Sequence, residues 1–224
     1  MVTGRLAPVL LFVSTNVFPF VSLPLLAWAW WHVSSGNTAF VVFVLGVPLV
    51  FGYVMPGVAT NFVRRWRFTS GWRVGEYYVH HGLIYSTKMN LVLILAMHDL
   101  RAIDGAFRTT AVIVLTGAAT AFGGWWHDLH AVRNGKIELV GADGVDPERA
   151  LATFAPGSYF AIGATFAAIS IVAWRVLSTN AGALWWVFGA GLVGLCLVPS
   201  LVFLTLDPRA ASTIVRKFHR ESRT

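Results

Sequence analysis

The sequence predicts an all-α, polytopic membrane helical bundle of about six transmembrane helices, and three observations carry that prediction. Hydrophobic residues fill 56% of the 224 positions and charged residues only 12%, about half the charge of an ordinary soluble domain. The apolar residues gather into runs close to the roughly 20 residues that an α-helix needs to cross a bilayer. The basic residues, finally, are sorted between alternate loops instead of being scattered along the chain.

Hydropathy places the spans near 8–31, 38–60, 82–98, 108–126, 158–175 and 183–206. In the first, MVTGR leads into an apolar run from Leu6 to Trp31. That run is too long for a secretory signal core and no small-x-small cleavage site closes it, so it reads as a retained helix. It contains Asn16, Pro19 and Pro24; the second span contains Pro48 and Pro56, and the sixth Pro199. Such prolines are tolerated in membrane helices and open local kinks. The third span is short, and Gly117 and Gly123–Gly124 interrupt the fourth. The whole chain, 1–224, reads as one integral-membrane domain. Residues 61–81, with arginines between aromatics, read as a cytoplasmic interfacial helix. Residues 131–157 read as a polar cytoplasmic loop in which KIELV favours a short strand, with NG, DG and Pro147 as turn signals.

Six spans place both termini on one side. Of the 17 lysines and arginines, thirteen fall on that side: Arg5, Arg64, Arg65, Arg67, Arg73, Arg133, Lys136, Arg149, Arg209, Arg216, Lys217, Arg220 and Arg223. Arg101, Arg108 and Arg175 fall on the other, and Lys88 lies within the third span. The bias makes both termini cytoplasmic and the chain a multi-pass protein of the cell inner membrane. It also accounts for the net charge of +7 and the pI near 10.2 as topology and contact with anionic membrane lipids, with no nucleic acid called for. Trp28, Trp30, Trp31, Trp174, Trp185 and Trp186 would then form an outer aromatic belt; Trp66, Trp72, Trp125 and Trp126, with Tyr77 and Tyr78, would form an inner one. The single cysteine, Cys196, excludes internal disulfides and thiolate metal clusters.

Topology also brings distant histidines to one depth. His81 and His98 sit at opposite ends of the third span, about 25 Å apart at the helical rise, and share no site. The fourth span returns, so the GGWWHDLH stretch carries His127 and His130 back to the face where His80 and His81 lie. Histidines three apart on a helix point the same way, and Glu76 would stand one turn from His80 if 72–81 were helical. His80 or His81, which are adjacent so that one of them faces inward, is therefore the expected metal ligand together with His127 and His130, with Glu76 or Asp128 as base or fourth ligand. Such a donor set suits zinc or iron as the transition metal and would activate water at the lipid boundary. Lys88, about two turns into the apolar layer, must snorkel, pair or line a polar cavity; there it would stabilise negative charge on a substrate. Thr109, Thr116, Thr120 and His127 form a polar stripe on the fourth span, which reads either as a substrate groove or as close helix packing. His32, His98, Asp99 and Asp104 make a weaker outer group.

The leading expectation is an integral-membrane metal-dependent enzyme acting on a lipidic or apolar substrate at the cytoplasmic face. The alternatives are a metal-ion, proton-coupled or lipid transporter, or a structural subunit of a membrane complex. The sequence leaves open whether the chain forms a homo-oligomer or joins a larger membrane complex.

Overall fold

The computed structural model describes residues 3–69, 71–100, 105–140, 145–207 and 212. Among them the fold is helical apart from two small ribbons. The order is α1 (Thr3–Phe12), a π turn (Val13–Val17), α2 (Phe18–Val33), α3 (Thr38–Gly57), a second π turn (Val58–Phe62), β1 (Trp66–Phe68), β2 (Arg73–Val74) and β3 (Tyr77–Tyr78). There follow α4 (His81–Met97), α5 (Ala106–Arg133), β4 (Ile137–Leu139), α6 (Pro147–Leu177), a 3-10 turn (Ala181–Ala183) and α7 (Leu184–Leu206). Because the π turn joins α1 to α2 without a break, the described chain has six helical rods. Five stretches are long and apolar enough to cross a membrane: Pro8–Val33, Thr38–Phe62, Ala106–Arg133, Pro147–Leu177 and Ala181–Leu206.

The expected third span is the exception. α4 has 17 residues and carries Ser86, Thr87 and Asn90, all fully buried. Its polarity is spent on its neighbours. Asn90 accepts from Trp30 Nε1 at 2.8 Å and donates to the Val44 carbonyl at 2.8 Å, while Ser86 donates to the Leu45 carbonyl at 2.8 Å. These bonds pin α4 between α2 and α3 in a medium where an unpaired polar group is costly. They also correct the place of Trp30, which is wholly buried instead of standing in an outer belt. Gly52 and Gly82 bring α3 and α4 together; a Cβ on Gly52 would lie 2.9 Å from the Gly82 Cα. The core around them joins Phe40, Phe43, Val47 and Phe51 of α3 to Leu93 of α4, Phe166 and Ile171 of α6 and Leu195 of α7. Large apolar side chains face outward on every long helix, Trp186 at 85% exposure among them.

α5 and α6 form the most extensive helix pair. A Cβ on Gly163 would meet Thr120 Oγ1 at 2.5 Å, and one on Gly117 would meet the Phe160 ring at 2.9 Å. The threonine stripe of α5 thus serves helix packing, since a missing side chain lets the backbones approach.

The segment 61–81 is not an interfacial helix. β1 pairs antiparallel with β4 in the register Trp66↔Leu139, Arg67↔Glu138, Phe68↔Ile137, and β2 pairs with β3 around a Gly75–Glu76 turn. Gly75 has φ +61, and a Cβ there would strike the Asn61 side chain, whose Oδ1 accepts from Glu76 N at 2.9 Å. KIELV supplies the predicted strand, and the NG turn before it holds Gly135 at φ 63. The rest of 131–157 is less open than a loop: α5 runs on to Arg133, and α6 begins at Pro147 behind an Asp146 cap that accepts from Glu148 N. Arg101, Asp104, the DG turn at 143–144 and the cations from Arg209 to Arg223 lie outside the described residues.

One ion pair closes this end of the bundle. Arg65 Nε donates to Asp207 Oδ2 at 2.5 Å, and the two side chains are 7% and 4% exposed. Arg65 also donates to the Val140 carbonyl at 2.9 Å and stands over the Phe154 ring. Removing one partner of such a pair leaves a buried, uncompensated charge. Arg65→Met should therefore lower unfolding stability in detergent by about 3–5 kcal/mol. The Arg65→Met, Asp207→Leu double variant should recover a clear part of that loss in the same unfolding measurement.

Candidate functional site

The polar cluster is built from four rods. α5 runs unbroken through the GGWWHDLH stretch, so Asp128 and His127 sit side by side one turn after Gly124. Gly124 matters for its absent side chain: a Cβ there would lie 2.6 Å from the Tyr159 ring. In that space Tyr159 of α6 donates its hydroxyl hydrogen to Asp128 Oδ2 at 2.6 Å. Tyr85 of α4, packed on Gly52, stands beside Tyr159 and interacts with it. One turn along α4, Lys88 interacts electrostatically with Asp128, yet no hydrogen bond or ion pair within 4 Å holds its ammonium among the described residues.

His127 continues the chain on the other side. Its Nδ1 lies 3.6 Å from Asp128 Oδ1, and its Nε2 lies 3.4 Å from Thr15 Oγ1. Thr15 is the buried centre of the first π turn, a helix irregularity that recurs at functional sites. His80 Nε2 donates to the Thr15 carbonyl at 2.9 Å. A carbonyl only accepts, so that nitrogen carries hydrogen. Tyr85, Tyr159, Asp128, His127 and Thr15 thus form a nearly continuous polar line from α4 to the first rod.

The histidines meet at one end of the bundle without forming a metal centre. Among the described residues no group of three His, Cys, Asp or Glu side chains is placed to hold a metal ion. This corrects the expected metal-dependent enzyme, its zinc or iron cofactor and the His80, His81, His127, His130 ligand set. The reason lies in where each ring points. His80 spends Nε2 on Thr15, and His130 spends Nδ1 on the Trp126 carbonyl at 2.9 Å while its ring lies 4.3 Å from the Trp126 ring. His81 is enclosed by Phe68, Tyr77, Tyr78 and Tyr85, with ring centroids between 5.1 and 6.0 Å, and its buried Nδ1 has no partner. Glu76 is exposed at the hairpin turn, 3.8 Å from Arg73, because 72–81 does not form the helix that would set it beside His80.

Lys88, Asp128 and His127 are brought together; Glu76 and His130 stand apart from them. Tyr85, Tyr159 and Thr15 were not foreseen. Gly124 gives no sequence sign that it admits a tyrosine from another helix. At the opposite end His32 packs on Trp28, His98 bonds the Leu95 carbonyl and Asp99 lies 3.9 Å from Arg108, with no common cluster among the described residues.

Chemically the cluster offers a carboxylate, two phenols, an imidazole and an unbound ammonium. Such groups can receive, hold and pass protons, and the ammonium can face an anion. Comparison with known protein families, with curated proteins and with solved structures found no match to the chain. Metal analysis should give the same transition-metal content for the wild-type protein and the His127→Ala, His130→Ala double variant. Near-stoichiometric metal lost in the variant would restore the ligand reading.

Proposed function

We propose that the chain is a multi-pass protein of the cell inner membrane, with six crossings and both termini cytoplasmic, that works as a proton-coupled transporter with Asp128 as its proton-binding group. The observation that carries this reading is the Tyr159–Asp128 hydrogen bond, flanked by Tyr85, Lys88 and His127, within a bundle whose outer faces are apolar. Ionisable groups inside a membrane bundle are expensive and mark proton or substrate routes. The bond joins α5 to α6, Tyr85 and Lys88 of α4 stand beside it, and His127 reaches the first rod at Thr15.

Five apolar stretches support the crossings directly. α4 completes the set as a rod whose polar face bonds to neighbouring helices while Leu91 and Leu95 face outward, which permits a short helix to cross where lipid touches one side of it. At about 25 Å its length falls a little under the usual hydrocarbon thickness. The asymmetry of lysine and arginine supports the orientation. Lipids are the expected partners of the outward faces, and an apolar or amphiphilic molecule is the expected substrate.

Orientation is tested by labelling in intact cells. In a Cys196→Ser background, a membrane-impermeant maleimide should label Thr179→Cys and leave Lys136→Cys unlabelled until the cells are opened; the reverse pattern would invert the topology. The proton reading is tested by infrared difference spectroscopy on lipid-reconstituted protein, stepping from about pH 9 to about pH 5, the range useful for physiological proton transfer. A protonated-carboxyl band should grow as pH falls, change frequency in Tyr159→Phe and vanish in folded Asp128→Asn. If no carboxyl band in that range depends on Asp128, the proton-binding role is wrong.

A further inference from the structure

Lys88 is the one cation of the cluster without a bonded partner among the described residues, and its place on α4 is unusual. Leu91 and Leu95 lie three and seven positions further on, the same helix face, and are 42% and 72% exposed. Helical side chains lean toward the N-terminus of their helix. The Lys88 stem therefore starts on the outward, apolar face while its ammonium reaches back toward His81, His127 and Asp128, each of which interacts with its charge. A cation at the foot of an apolar stripe matches one kind of molecule: an amphiphile with an anionic head and a hydrocarbon chain.

The charges of the site restrict that head further. The groups facing Asp128 are Lys88 and Tyr85 from α4, Tyr159 from α6, and His127 on its own helix; His81 and His130 face His127 more than Asp128, and His80 reaches the cluster through Thr15. Lys88 and Asp128 carry opposite formal charges and balance each other. An entering monoanion would leave one uncompensated negative charge in a low-dielectric layer, which is strongly unfavourable. One proton taken from water onto the Asp128 carboxylate removes it. That proton leaves Lys88 as counter-ion to the guest and lets Tyr159 redirect its own hydroxyl. A single-chain carboxylate fits best, because its small head can sit below the membrane surface at Lys88, whereas a phosphodiester brings a bulkier head with substituents on both sides of the phosphate.

From this charge balance we infer that the site between Lys88 and Asp128 binds a long-chain carboxylate together with one proton, which rests on the transporter reading and names its substrate class. The chain lies along Leu91 and Leu95, the head pairs with Lys88, and Asp128 carries the proton.

The test uses the full chain in phosphatidylcholine nanodiscs, with protein-free nanodiscs subtracted. Two probes are titrated: oleate, and hexadecanesulfonate, which stays anionic throughout and so cannot itself take up a proton. Binding is followed by tryptophan fluorescence and proton uptake by an indicator in weakly buffered solution. Wild type should bind both probes, with about one proton taken up per sulfonate, and should not bind oleyl alcohol. Lys88→Gln, checked for an unchanged unfolding temperature, should bind at least tenfold more weakly, and Lys88→Arg should retain binding. Asp128→Asn should bind the sulfonate without proton uptake. No binding to wild type, equal binding by Lys88→Gln, or binding without proton uptake would each overturn the inference. An Asp128 infrared band that persists when binding fails would leave the proton role standing alone.

Discussion

The arrangement depends first on the buried pair between Arg65 and Asp207. Two charges removed from water favour a fold only when each meets the other at close range and the remaining donors are satisfied. Both conditions hold, with the Val140 carbonyl taking a guanidinium hydrogen and the Phe154 ring lying under its face. One side chain thereby ties the exit of α3 to the end of α7, to the strand β4 and to α6. The tie fixes β1 against β4, and β1 carries Phe68, which packs with Tyr78, Leu11 and Ala131. Phe68 and Tyr78 wall in His81, and His80 then reaches Thr15. The geometry of the polar cluster is in this sense set from the rim of the bundle.

A second constraint comes from α4. Its serine, threonine and asparagine are satisfied by carbonyls of α3, by carbonyls of α4 itself and by the Trp30 indole, so the helix behaves as a polar post inside an apolar bundle. Glycines do the complementary work. Gly52 and Gly82 let α3 and α4 touch, and Gly124 opens room for Tyr159. Close backbone approach and interhelical hydrogen bonds are the forces available where solvent no longer drives helices together.

Much of this was legible in the sequence because hydropathy and turn chemistry are local. The helical rods, the KIELV strand and the NG turn depend on neighbours a few residues away. The return of His127 to the end that holds His80 followed from counting spans. The rest depends on partners distant along the chain. WRF reads equally well as part of an amphipathic helix until β4, some seventy residues later, offers it a strand to pair with. The metal reading failed on direction: depth brought the histidines to one level, but hydrogen bonds to carbonyls and a wall of aromatic rings turned their nitrogens away from any common point. Tyr159 was hidden for a related reason, since its role exists only opposite Gly124. Trp30 looked like an interfacial anchor because nothing in its own stretch announces Asn90.

The long sequence separation of these partners also sets an order of assembly. Arg65 leaves the ribosome 142 residues before Asp207, and the whole of α4 and α5 lies between β1 and β4. While α4, α5 and α6 are being made, the guanidinium lacks the carboxylate that it pairs with in the finished fold. The rim that shapes the polar cluster can therefore close only after α7 has been made, and every element it ties together must wait for that helix.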